Sequence, residues 1–157
     1  MISFDIMFQK ITERKCKLIG VDMAEQRLDT ISKFIEIGGD IVKTTLANFS
    51  DQNHTTFTDL VKRFGHQKIN FLKMDIESIE FDLLDQLFDF RICQMMVEVH
   101  GSRDRFYQFL HIAALAGFHL VHHEVNGGTL KACELTMVHE SCFDDFDISI
   151  KLGRYLD

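Results

Sequence analysis

Residues 69–80 read Ile69-Asn70-Phe71-Leu72-Lys73-Met74-Asp75-Ile76-Glu77-Ser78-Ile79-Glu80, and the hydrophobic period changes within that stretch. Ile69 to Met74 form a short apolar-rich run that stops at Asp75, the pattern of a buried strand. From residue 78 to 88 the apolar positions recur at helical spacing, with Ile79, Leu83, Leu84 and Leu87 set inward and Glu80, Asp82 and Asp85 outward. A strand that ends in carboxylates and passes directly into a helix is the unit from which parallel sheets are assembled.

The same unit recurs on both sides. Upstream, a helix over 3–12 (Phe4, Met7, Phe8 and Ile11) leads to a strand at 17–21 that ends in Asp22. A helix over 24–37 carries Leu28, Ile31, Phe34 and Ile35 on one face, and Gly38-Gly39 closes it as a C-cap does. A β-branched run at 41–46, a polar loop and a short helix at 57–64 follow. Downstream, the strongly apolar run at 93–99 predicts a central strand, and residues 102–116 predict a helix ended by Gly117. Runs at 118–123 and 130–138 around Gly127-Gly128 predict a hairpin. The alternation predicts an α/β fold, one mostly parallel sheet with helices on both faces and a C-terminal antiparallel hairpin. With no repeat or linker, residues 1–157 read as a single domain.

Composition narrows the function. Seventeen Lys+Arg against 24 Asp+Glu give a net charge of −7, and no basic cluster supplies the phosphate contacts that nucleic-acid binding requires. No nucleic acid is expected as a partner. No run approaches the ~18 apolar residues of a membrane helix, and no basic segment with an apolar core opens the chain, so neither a membrane partner nor secretion is expected. Cys16, Cys93, Cys133 and Cys142 contain no CxxC pair. They read as reduced thiols, and the chain as cytoplasmic.

In parallel sheets, ligands bind beyond the carboxyl ends of the strands, which makes Asp22, Asn48, Asp75, Glu77, Glu98 and His100 the candidates. Asp22 suits either of two roles, a ribose diol acceptor or a helix N-cap. Lys73, Asp75 and Glu77 alternate, so one side of a strand end receives all three. Tuned acid–base chemistry and a metal set compete there with plain capping and ion pairing. Glu98 and His100 share a face of the next strand. If that strand neighbours the one ending at Asp75, then Asp75, Glu98 and His100 converge as a general base or a hard-cation site. The adjacent His122 and His123 point to opposite faces of a strand and do not form a metal pair.

The stretch 69–80 resembles the FkbM-type methyltransferase family, whose strand-end segment has the form φ-D-φ-L-K-I-D-φ-E-G-x-E. Ile92 to His100 resembles that family's next strand, which ends in E-x-H. Phe118, His123-Glu124-Val125-Asn126 and Cys133-Glu134-Leu135 resemble its late F…E-x-N…C-x-E segment, and Ser3-Phe4-Asp5 with Gly20-Val21-Asp22 resembles the S-F-D…F-D-P stretch of its metazoan methyltransferase-like branch. Ser78 and Ile79 stand where the family has Gly and Ala. The resemblance implies a Rossmann-like class I sheet and S-adenosylmethionine as cofactor, with transfer to a small-molecule or sugar hydroxyl. By position it implies Asp22 toward the ribose hydroxyls of the cofactor, with Lys73, Asp75, Glu77 and Glu80 matching the signature and Glu98 and His100 the strand beyond. The strand-end candidates then sort into Asp22, Asn48, Asp75 and Glu77 toward the cofactor and His100, Asp75 and Glu98 toward chemistry, with no metal. The resemblance also implies that a first strand and Gly-rich turn precede residue 1, so that the domain here is N-terminally incomplete. Exposed strand edges then invite self-association. Two other readings stand beside it, an inactive fragment or pseudoenzyme that serves as a binding module, and an unrelated metal- or small-molecule-binding α/β domain.

Overall fold

The computed structural model describes residues 2–77, 79–129 and 131–149. Ser78 and Leu130, the expected first residues of a helix and a strand, and residues 150–157 lie outside the described residues. The chain divides into two compact units, residues 1–56 and 57–157.

In the first unit, α1 (Ser3–Ile11) precedes β1 (Leu18–Asp22), α2 (Leu28–Glu36) and β2 (Gly39–Lys43). β1 and β2 pair in parallel, with Leu18 opposite Gly39 and Asp22 opposite Lys43. Phe34 of α2 is buried, whereas Leu28 and Ile35 are exposed, so a single aromatic ring anchors this helix. Its place depends on two glycines. A Cβ at Gly20 would lie 2.8 Å from the Phe34 ring, and one at Gly39 would overlap it. Gly38 ends α2 at φ +85°, a left-handed conformation that costs glycine little. In α1 the buried residue is Gln9 rather than the apolar stripe, because its amide donates to the carbonyls of Cys16 and Ile37 at 3.2 Å each. Met7 and Ile11 are exposed.

The run at 41–46 is two strands rather than one. Thr44 turns its N–H to the Asp22 carbonyl at 3.0 Å. The chain then pairs β3 (Thr45–Leu46) with β4 (His54–Thr55), inside what reads from sequence as a polar loop. Asp51 makes that turn possible, since one of its carboxylate oxygens accepts from the Asn53 and His54 backbone N–H groups at 2.8 Å each.

In the second unit, α3 (Phe57–Arg63) and β5 (Ile69–Met74) lead into a 3-10 turn, Glu80–Leu83, then α4 (Leu84–Phe88), β6 (Ile92–His100), α5 (Arg103–Leu115), β7 (Phe118–Val125) and β8 (Ala132–His139). The strand order is β5-β6-β8-β7, with β5–β6 parallel and β8 antiparallel to both neighbours. β7 and β8 form the expected hairpin. The strands thus fall, among the described residues, into three hydrogen-bonded sheets, not the single sheet expected. Among the described residues β1 pairs only with β2 and β5 only with β6, and β3, past the break at Thr44, pairs with β4. Along β6, Cys93, Met95, Val97 and Val99 are buried, while Gln94, Met96, Glu98 and His100 are partly exposed. Strand periodicity therefore sorts core from site.

Cys93 and Cys142 correct the reading of four reduced thiols. They form a disulfide between β6 and the 3-10 turn Glu140–Cys142, and both are fully buried. Cys16 and Cys133 are free. Beside the bridge, Lys68 donates to Asp145 at 2.6 Å and holds that carboxyl below its usual range, with a smaller contribution from Arg91 at 3.6 Å. Phe71 stacks on Phe146 with ring centroids 5.6 Å apart. These contacts fasten the segment after β8 to the sheet. Spacing does not reveal the pair, because its partners are 49 residues apart and meet only through the β6–β8 register.

Peptide mapping without reductant should recover the Cys93 and Cys142 peptides as one linked species, with Cys16 and Cys133 open to alkylation. Reduction should then cost about 2–5 kcal/mol in denaturation experiments. Alkylation of all four cysteines in unreduced protein would contradict the bridge.

Candidate active site

β5 and β6 run parallel with Met74 opposite Val97. Asp75 therefore leaves β5 at the level where β6 presents Glu98, and His100 lies one pleat further on. The structure brings these three together, with one ligand atom of each within 4.8 Å of the others. Asp75 is exposed; Glu98 and His100 are each 17% exposed at the side chain.

Glu77 does not continue the alternation. β5 stops at Met74, and Glu77 adopts φ +53°, a left-handed conformation uncommon for a residue with a Cβ and found where surroundings impose it. Its exposed carboxylate reaches to 3.6 Å from His100 Nε2. Lys73 is exposed on β5, opposite Met96.

The closest partner of His100 is one that sequence reasoning sets outward. Glu80 is fully buried, and its Oε1 lies 2.9 Å from His100 Nδ1, whereas Glu98 Oε1 is 3.9 Å from Nε2. Residues 80, 83, 84 and 87 are all buried. The inward stripe therefore begins at Glu80, one residue after the Ile79 expected. Glu98 is held instead by Asn126, whose amide donates to Glu98 Oε1 at 3.0 Å while its carbonyl accepts from Gly128 N–H at 2.8 Å. The hairpin turn thus positions a carboxylate on the central strand. The spacing of Glu80 with Leu83, Leu84 and Leu87 is the sequence signal for the first of these contacts. Asn126 beside a Gly-Gly turn is the signal for the second.

Burial opposes the charged form of His100. Its hydrogen bond with Glu80, and the charges of Glu80, Glu77 and Glu98, outweigh that and raise its pKa above the ordinary 6.5. The arrangement can take up and hold a proton at the strand rim. It also presents two carboxylates and an imidazole nitrogen, a donor set compatible with a hard cation.

Asp22 and Asn48 belong to the first unit. Asp22 is exposed at the end of β1, where its Oδ1 accepts from Ala24 N–H at 2.7 Å and its Oδ2 from the Gln26 amide at 2.8 Å. It does not cap α2, which begins at Leu28 after Arg27, so the N-cap alternative gives way to a loop turn. Each carboxylate oxygen has a second acceptor site, and the pair still suits a diol. Asn48 is exposed in the bend after β3. His122 and His123 are exposed on β7, opposite Thr136 and Leu135. Cys133 on β8 is a free thiol whose pKa burial pushes up, which disfavours the reactive thiolate.

The Methyltransferase FkbM domain matches residues 11–122, well over half of the chain, and the chain belongs to that family. In fold it is similar to a solved structure described as the Methanococcus jannaschii fibrillarin pre-rRNA processing protein. The TM-score is 0.51 with 10% identity, over 79% of this chain and 66% of that one. At that identity the likeness shows a Rossmann-like α/β methyltransferase fold and nothing further. No curated protein sequence matches the chain.

His100 gains stability from protonation in the folded state, because its folded pKa is raised. That gain is fully present below pH 6.5 and is lost as pH rises through the higher folded value. Urea denaturation across this window should show the decline in the wild type and lose its His100 component in His100→Gln. Parallel curves for the two proteins would contradict the pairing.

Proposed function

We propose that this chain is an S-adenosylmethionine-dependent methyltransferase domain acting on a hydroxyl of a small molecule or sugar. The observation that carries the proposal is the convergence of Asp75, Glu98 and His100 at one strand-end rim, in a chain of this family. When bound, S-adenosylmethionine supplies a methyl group on a sulfonium. Asp22 accepts the ribose hydroxyls, and Asn48, Asp75 and Glu77 contribute to cofactor or acceptor placement. His100 Nε2 would take the proton of the acceptor hydroxyl, whose oxygen would receive the methyl group that the bound cofactor supplies. The products are a methyl ether, a neutral thioether and an imidazolium. The surrounding carboxylates stabilise that imidazolium and disfavour anionic acceptors.

General-base help of this kind contributes on the order of 10²–10⁴-fold. Turnover should rise with pH through the raised His100 pKa, and His100→Ala should depress turnover far more than cofactor affinity. Loss of affinity with turnover per bound complex intact would make His100 structural.

Calorimetric titration of the chain with S-adenosylhomocysteine tests the cofactor. Asp22→Ala should weaken binding at least tenfold, about 1.4 kcal/mol. Equal affinity would leave Asp22 with its loop role alone, and no binding would favour a binding module without activity. The closeness of the same three side chains also favours a second reading, a hard cation at the rim. Activity that survives exhaustive chelation argues against it.

Among the described residues no helix is long and apolar enough to cross a membrane. The Cys93–Cys142 bridge favours an oxidising compartment, so the cytoplasmic placement is not part of the proposal.

A further inference from the structure

We propose that Glu80 is the positioning residue of His100, fixing the ring's tautomer so that Nε2 is the nitrogen presented at the strand rim. The inference rests on the reading of His100 as the base and deepens it.

Four carboxylates lie around the imidazole: Asp75 at the end of β5, Glu77 just after it, Glu80 in the 3-10 turn and Glu98 on β6 itself. They differ in what they can do. Glu77 is 82% exposed and 3.6 Å from Nε2, so solvent screens it. Glu98 is 3.9 Å from Nε2 and already accepts from Asn126. Glu80 alone of the three glutamates lies within hydrogen-bond distance of the ring, at 2.9 Å from Nδ1, and it is fully buried. The neighbours on its stripe, Leu83 and Leu87, are also fully buried, so packing holds the carboxylate in one place.

An ionised carboxylate only accepts hydrogen bonds. Opposite an ionised Glu80, Nδ1 carries its proton in both the neutral and the charged ring. The neutral ring then has its lone pair at Nε2, on the side where Glu77 and Glu98 lie. A tautomer held by a buried partner at the far nitrogen is the arrangement a histidine base requires. The same carboxylate stabilises the imidazolium that proton transfer creates. Ala132 stands opposite His100 on β8 and brings no competing donor to the ring.

Nitrogen-15 NMR of the His100 ring tests this directly in the 157-residue chain. Above its pKa, the wild type should show a protonated Nδ1 and an unprotonated Nε2. Glu80→Gln replaces the charge with an amide that can also donate. The ring should then titrate at lower pH, and its tautomer should shift toward Nε2–H. Glu80→Asp keeps the charge and should restore much of the wild-type titration. In active protein, Glu80→Gln should lower kcat at least tenfold with little change in KM, and move the acidic limb of the pH profile down. A wild-type ring protonated at Nε2, or a Glu80→Gln ring that titrates as the wild type does, overturns the proposal. The wild-type tautomer decides the matter even if Glu80→Gln does not fold. His100→Ala with full turnover would sink the base reading while leaving the tautomer result standing, so the two failures are separable.

Discussion

The parallel pairing of β5 with β6 is the constraint on which the rest of the site depends. Because Met74 lies opposite Val97, the two strands deliver Asp75, Glu98 and His100 to one rim. A slip of one residue would turn Glu98 and His100 to the other face and expose Val97 and Val99. The apolar face of β6 thus sets the register of its polar face. The core residues Cys93, Met95, Val97 and Val99 are fully or almost fully buried, so hydrophobic burial, about 25 cal/mol for each Å² removed from water, is what aligns the chemistry.

Around that pairing, the second unit places a buried carboxylate against His100 and a partly buried amide against Glu98. The 3-10 turn brings Glu80 to the far side of the imidazole, and the hairpin turn brings Asn126 to Glu98. Behind the sheet, the Cys93–Cys142 bridge and the Lys68–Asp145 contact tie the segment after β8 to the strands. The first unit has a smaller anchor, Phe34 seated over Gly20 and Gly39. It presents Asp22 at the end of its own parallel pair.

Much of this architecture is legible in the amino-acid sequence. The apolar run at 69–74 matches β5 end to end, and the apolar run of β6 and the runs around Gly127-Gly128 mark those strands to within two residues. The convergence of Asp75, Glu98 and His100 follows from parallel neighbours alone. Other features are hidden for identifiable reasons. A carboxylate is rarely buried unless paired, so Glu80 reads as outward, although it heads the stripe completed by Leu83, Leu84 and Leu87. The break at Thr44 and the β3–β4 pair depend on Asp51 binding its own following backbone, a contact that looks like ordinary loop polarity. The apolar spacing in α1 is genuine helix periodicity, yet Gln9 is the buried residue because two carbonyls take its amide. The disulfide joins residues far apart in sequence that meet only across β6, and nothing local marks either cysteine for the other.

The most direct test of the account is a nitrogen-15 NMR titration of the chain with S-adenosylhomocysteine at millimolar concentration, followed residue by residue. Saturable shifts are expected at the backbone amides of Asp75 to Glu77 and at the His100 ring, with the exposed edge of β7 unmoved. A titration that leaves the β5–β6 rim unshifted, or that moves only residues remote from it, would contradict the site.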